Sequence, residues 1–388
     1  MKKRLITVFT LCVFAGGCSS SISDFSPAVS PMESDIYTET FQTEQTEPQT
    51  GTAAGSADTY KTDFSQTLTI SDPDIFFGYL TEACDNLVTE LHFKIDNFDE
   101  DTYDIHKFKR GKYSLSSNGK IIGKTAYMDY TFNYSDNYII THACADNSLI
   151  PLLNEEQQHI VTSLGFIRDS VISDDMTDYE KELALHDYIV KNYSYDVEAA
   201  KAAEISDTAT GIIPFLLNKK GVCEAYANTF MALCSLSGIE CHIVTGKLDG
   251  VNHAWNVVKI DGEYYNVDVT SDDPVPDEPQ HVYRSYFNIT DVQLNRSHIP
   301  DDNTYICSSE KYNYFTYNNL VVNDFDSLKS VINDHISHGE SVIAFRCDNY
   351  TFTSNDLLDI LNFKGFNSYY LSGDMSDPYS CFELTLKK

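Results

Sequence analysis

The chain has 388 residues, ten cysteines and a formal net charge of −31, with 58 acidic against 27 basic side chains. That length accommodates two or three domains and a substantial core. The acidity argues against nucleic acid as a partner, since phosphate binding needs basic surface, and against attraction to anionic membrane surface. It leaves basic peptide substrates open, although solubility is the simpler and preferred account.

The N-terminus reads as a targeting segment. Lys2-Lys3-Arg4 is a basic start and Leu5 to Phe14 an apolar run too short to span a bilayer. Ala15-Gly16-Gly17-Cys18 resembles a bacterial lipobox, which implies a signal peptide over 1–17 and a lipid on Cys18. A plain signal peptide cut nearby is the alternative. Residues 18–65 are rich in Ser, Thr, Glu, Gln, Asp and Pro and poor in aliphatics, so they read as a disordered spacer.

Residues 66–145 read as a small α+β accessory region. Asp72-Pro73 is a helix start. Leu91 to Ile95 and Tyr127 to Thr141 read as strands, the second from its alternation of Tyr, Phe and Ile. The acidic run Asp96 to Asp104 lacks the spacing of a calcium loop and reads as solvated. Two helices follow, one from Glu155 to Val171 and one opened by Thr177-Asp178-Tyr179-Glu180, a capping box. His186 lies on the apolar face of the second, with Tyr179, Leu183 and Ile189, and reads as a hydrogen-bonded core histidine.

Gly221-Val222-Cys223-Glu224-Ala225-Tyr226 opens a further helix, with Val222, Tyr226, Phe230 and Leu233 at helical spacing and Gly238 at its C-terminal stop. Cys223 then lies in the first turn, where unpaired N–H groups favour negative charge on sulfur and can hold an oxyanion. Next comes a hairpin. Asp261-Gly262 is a two-residue turn signal, so Ile260 faces Glu263. Extended along both strands, that register pairs His253 with Thr270 and Trp255 with Asp268, and puts all four side chains on one face. His253 and Asp268 become diagonal neighbours about 7–8 Å apart at the backbone. Cys, His and Asp in this arrangement are a nucleophile, a base and an orienter. Trp255 reads as a packing wall beside the site, and Asn256, on the opposite face, as structural. Cys234, Cys241 and His242 match no zinc spacing, so neither metal nor cofactor is expected.

Residues 306–388 read as a compact α/β accessory module. Its elements include a helix from Phe325 to Ile336 stopped by Gly339, a strand from Ser341 to Cys347, a helix from Asn355 to Phe363 and a strand from Phe382 to Leu386. With Cys12 leaving in the signal, Cys18 lipidated and Cys223 assigned, the other cysteines make an odd, scattered set. They are not a disulfide framework, though one or two bridges stay open.

Gly221-Val222-Cys223-x-Ala225-Tyr226, His253-Ala254-Trp255-Asn256 and Tyr265-x-Val267-Asp268-Val269-Thr270 together resemble the transglutaminase-like superfamily. This family includes transglutaminases, peptide N-glycanases and many bacterial proteins assigned as cysteine proteases. The likeness extends upstream to Tyr179-Glu180-Lys181, His186 to Val190 and Tyr195-Asp196, and downstream to Tyr286-Phe287-Asn288. It implies an α+β, papain-like core over 146–305: a helix bearing Cys223 on an antiparallel sheet bearing His253 and Asp268. It also implies Cys223 as nucleophile, His253 as base and Asp268 as orienter. Tyr195 is a candidate second oxyanion donor. Relatives often carry Trp after Asp-Val-Thr; here Ser271 stands instead.

The expected protein is an extracytoplasmic cysteine enzyme, lipid-anchored to a bacterial membrane. It would act by thiol acyl transfer on peptide or protein amides, cell-wall peptide included. Hydrolysis is favoured over cross-linking, because Ser271 and Asp272-Asp273 should make the wall beside Asp268 polar and wet. The alternative is a catalytically silent binding or scaffold module on the same fold.

Overall fold

The computed structural model of the chain describes residues 62–388 apart from 109–112, 203, 279–280, 363–364, 367 and 388, together with the backbone of Thr7–Thr10. Cys18, the rest of the expected signal and nearly all of the 18–65 spacer lie outside the described residues. The architecture is α+β, as expected.

Near the start, Asp72 accepts from the Asp74 N–H and caps the helix Pro73–Asp85, with proline in its first turn. Phe76 on this helix meets Phe93 and Tyr130 edge-on, at 5.3 and 5.6 Å between ring centres. Those rings stand on a sheet whose strands run in the order Thr67–Ile70, Glu90–Asp96, Thr125–Tyr134, Tyr113–Ile122. The strand expected from Tyr127 to Thr141 is only half a strand. It ends at Tyr134, where the Ser135 hydroxyl accepts from the Tyr138 N–H and starts the helix Asp136–Ala145. Alternation of Tyr and Ile continued past that point, but the serine cap decides the backbone. Asn137 on this helix accepts from the Ile212 N–H at 2.8 Å and donates to the Thr210 carbonyl at 3.2 Å. One apolar core therefore runs unbroken from Ile70 to Phe287, across the boundary expected near residue 145.

The helices Glu155–Val171 and Asp178–Asn192 both begin in capping boxes, Asn154 with Gln157 and Thr177 with Glu180. The helix Cys223–Leu236 packs among them and on an antiparallel sheet ordered Glu263–Val267, Val251–Ile260, Glu240–Leu248, His298–Pro300. Gly238, at φ +76°, follows the helix end. Asn256 ties helix to sheet by donating to the Ala227 carbonyl at 3.0 Å and the His242 carbonyl at 3.3 Å.

Asp261 and Gly262 have φ values of +51° and +84°, as the tight hairpin turn demands. Glu263 lies opposite Ile260 and Val267 opposite Asn256, the register read from the turn. The ladder then stops one residue short of the expected pairs. Asp268 does not pair with Trp255, nor Thr270 with His253. The Asp268 N–H donates instead to Tyr286 O at 3.1 Å. Its carboxylate captures the backbone just ahead, accepting from Thr270 N at 3.1 Å and Ser271 N at 3.2 Å. An aspartate that bonds its own following backbone makes a turn, not a strand.

The C-terminal module has its own core. Its sheet contains Val321–Val322, Val342–Cys347, Cys381–Lys387 and Ser368–Ser372, the last not foreseen, and Thr7–Thr10 runs parallel to Ser368–Leu371 at its edge. Helices Phe325–Ser337 and Ser354–Leu361 cover it. Among the described residues no cysteine forms a disulfide, and no helix is long and apolar enough to cross a membrane.

Candidate active site

Cys223 is the first residue of its helix and is partly exposed. The preceding Val222 has no side-chain oxygen, so no side-chain cap occupies the first turn. Gly221 is required by space: a Cβ there would lie 2.6 Å from the Phe215 ring and 2.9 Å from Ala225 Cβ. Tyr195 pairs in parallel with Gly221, which brings its backbone beside the helix start.

His253 comes from the neighbouring sheet. Its Nε2 lies 2.8 Å from Asp268 Oδ2. A carboxylate only accepts, so Nε2 carries the hydrogen, which leaves Nδ1 as the free ring nitrogen. The Cys223 side chain also acts on His253 and favours its charged form. Burial disfavours a charge on His253, but the Asp268 carboxylate outweighs it and, with Cys223, raises the His253 pKa. Asp268 is itself fully buried, which alone would raise its pKa; the two facing imidazoles hold it far below the usual carboxylate range.

The structure thus brings Cys223, His253 and Asp268 together. It adds two groups that the sequence reading missed or misjudged. His298 Nε2 also lies on Asp268 Oδ2, at 3.1 Å, and the Ser271 hydroxyl donates to that same oxygen. Ser271 is therefore part of the carboxylate's hydrogen-bond shell and not a substitute wall. Asp272 and Asp273 likewise do not line a polar, open wall. Asp272 is fully buried against His186 Nε2 at 3.1 Å and Tyr286 N at 3.0 Å, and Asp273 is buried against the Tyr226 hydroxyl. Trp255 is 1% exposed. It backs the site, donating to Asn266 Oδ1 at 3.2 Å and meeting the His298 ring edge-on at 5.2 Å. The ligand atoms of His253, Asp268 and His298 lie within 4.8 Å of one another. Two imidazole hydrogens and a hydroxyl already occupy Asp268 Oδ2, so we assign hydrogen bonding and not metal coordination to them.

With this geometry in hand, comparison with known proteins is specific. Residues 166–269 match the family model of the transglutaminase-like superfamily. The chain carries a transglutaminase-like domain. Human kyphoscoliosis peptidase is 28% identical over 155 residues, covering 34% of this chain and 23% of the relative. The mouse protein is 26% identical over 163 residues, covering 38% of this chain and 24% of the relative. The aligned part thus spans about a quarter of these relatives' length. A TGase crystal structure is similar at 16% identity and a TM-score of 0.29, over 47% of this chain and 51% of that one.

Beside Cys223, His253 and Asp268 lies a second buried network. His186 is wholly buried and bonded as the sequence suggests, with Nδ1 3.2 Å from Asp187 and Nε2 3.1 Å from Asp272. Burial opposes its charge, yet the two carboxylates raise its pKa to about 8. Burial raises the Asp272 pKa despite His186. The Asp187 pKa is lowered, against burial, by His186 and by Arg284, which stacks over Tyr314 at 4.7 Å. Asp187 and Asp272 together are the counter-charges of His186. A raised folded-state pKa favours the protonated form in the folded protein. The contribution is complete below the unfolded value of about 6.5 and disappears as pH rises through about 8. Unfolding free energy measured by urea titration should therefore fall between these limits by about 2 kcal/mol more in the wild type than in His186→Asn. Parallel pH profiles for the two proteins would show that His186 is not charged in the fold.

Proposed function

We propose that the protein is a cysteine-dependent amide hydrolase acting on peptides or proteins. The observation that carries this reading is the series Cys223–His253–Asp268, in which His253 hydrogen-bonds Asp268 and Cys223 acts on His253, with the sulfur at an uncapped helix N-terminus. In the first half-reaction the Cys223 sulfur attacks an amide carbonyl and its proton resides on His253. First-turn N–H groups receive the developing oxyanion. His253 then protonates the leaving amine as the C–N bond breaks, giving a thioester. Water, deprotonated by His253, adds to the thioester; the sulfur leaves with the proton and the acid is released.

Attack by an amine in place of water would give cross-linking from the same thioester. The burial of Asp272 and Asp273 removes the wet-wall argument for hydrolysis. Support for hydrolysis comes instead from the likeness to a protein named a peptidase. The test supplies purified protein with glutamine-containing peptides and an excess primary amine. We expect cleavage or ammonia release without amine incorporation, lost in Cys223→Ala. Amine incorporation that depends on Cys223 would reverse the preference, and no product over a broad peptide panel would favour a binding module.

We further propose that the enzyme is extracytoplasmic and anchored to the membrane through lipid on Cys18, with residues 18–65 as spacer. The basic, apolar and lipobox-like run from Lys2 to Cys18 supports this placement. Its substrates would then be surface proteins or cell-wall peptide. Cys18→Ser should release the protein from the membrane fraction of expressing cells. Recovery of the wild type wholly in the medium, without lipid on its N-terminus, would contradict the anchor.

A further inference from the structure

His298 lies outside the 166–269 family match and was not among the expected site residues. It stands on the three-residue strand His298–Pro300, whose partner is the stretch Gly246–Leu248. The next strand over carries His253 opposite Gly246. Gly246 has no side chain, and a Cβ there would lie 2.8 Å from the Trp255 ring and 2.3 Å from the Ile299 carbonyl oxygen. Over that bare position Trp255, His253 and His298 gather, the two imidazole centres 5.5 Å apart. Both Nε2 atoms converge on a single oxygen of Asp268, at 2.8 and 3.1 Å.

The donors can be ordered from the outside inward. His298 Nε2 faces a carboxylate and must carry its hydrogen. A singly protonated ring then accepts at Nδ1, and Ser297 Oγ lies there at 2.8 Å. The Ser297 hydroxyl therefore donates to His298, and the Tyr286 hydroxyl, 3.2 Å away, donates to Ser297. Burial raises the Tyr286 pKa to about 12, so that phenol keeps its proton. The order is Tyr286 to Ser297 to His298 to Asp268, every hydrogen accounted for.

We propose that His298 is a positioning residue for the proposed reaction: it holds the negative charge of Asp268 during the steps in which His253 has given up its proton. The proposal rests on the reading of Cys223, His253 and Asp268 as the reacting set. While His253 is an imidazolium, Asp268 has a cation for a partner. Once His253 protonates the leaving amine, a wholly buried carboxylate faces a neutral ring. An unmatched buried charge is costly, and a carboxylate in that position tends to take a proton. Thr270 N, Ser271 N and the Ser271 hydroxyl already fix its orientation. What His298 adds is a further donor on the oxygen that faces His253. That donor competes with His253 for the same lone pairs, so it lets the His253 proton leave more readily.

The sign of this effect separates it from a merely structural role. Loss of the His298 donor strengthens the hold of Asp268 on the His253 proton, so His253 should titrate higher. Loosened packing would weaken the pair, and His253 would titrate lower or without change. The experiment follows the His253 ring by ¹⁵N NMR through a pH titration of the full chain. Wild type, His298→Leu and His298→Gln are compared, the amide of Gln restoring a donor near the place of Nε2. The His253 midpoint should rise by about one pH unit in His298→Leu and return toward wild type in His298→Gln. A second variant guards against misfolding of His298→Leu: Ser297→Ala removes the bond at Nδ1 and should move the midpoint upward by less. An unchanged or lowered His253 midpoint in folded His298→Leu and Ser297→Ala overturns the proposal. Peptide turnover measured beside the titration judges the underlying reading separately. An inactive wild type that still shows the upward shift keeps the His298 assignment and discards the enzyme. An active wild type with no shift does the reverse.

Discussion

The buried carboxylate of Asp268 is the constraint on which the site depends. Placed out of water, it would be expelled or protonated unless its lone pairs were filled. Five donors fill them: His253 and His298 through Nε2, the Ser271 hydroxyl, and the N–H groups of Thr270 and Ser271. They come from three separate places in the chain, the central strand of a sheet, its short edge strand and the turn after the hairpin. The domain must be assembled for the anion to exist there. Once it exists, it sets the tautomer of His253 and raises its pKa, which is what a base beside a thiol needs.

The surroundings serve the same end. Asn256 bolts the cysteine helix to the histidine strand, so sulfur and imidazole belong to one rigid unit. Gly246 and Gly221 mark places where any side chain would displace a ring or the helix start. The N-terminal helix Asp136–Ala145 extends the same core, so the segment before the family match is part of the support of the cysteine helix and not a separate appendage. The network of His186, Asp187, Asp272 and Arg284 braces the turn after Asp268 from behind, since Asp272 also accepts from the Tyr286 N–H.

What the sequence made legible was what local rules decide. Asp261-Gly262 requires positive φ at two successive residues, and this alone set the register of the hairpin from Glu263 to Val267, which ends one residue before Asp268. Asp72-Pro73 and the capping residue Thr177 marked helix starts where they occur. What stayed hidden depended on tertiary placement. Ser135 turned an alternating run into a helix because its hydroxyl found an N–H, although the aromatic pattern went on. Asp272 and Asp273 look like surface acids in sequence, and only the fold shows them facing His186 and Tyr226. His298 sits on a three-residue strand 30 residues beyond Asp268, with no spacing or repeat to link them.

The most direct measurement of the central claim is the rate at which Cys223 is alkylated by a small thiol reagent at neutral pH, read residue by residue by mass spectrometry. If imidazole and carboxylate activate the sulfur, Cys223 is modified before the other described cysteines, seven of which accompany it. The same rate should drop by about ten-fold or more in His253→Ala and in Asp268→Ala. Equal rates in wild type and His253→Ala, with the fold intact, would show that the Cys223–His253–Asp268 geometry does not act on the thiol.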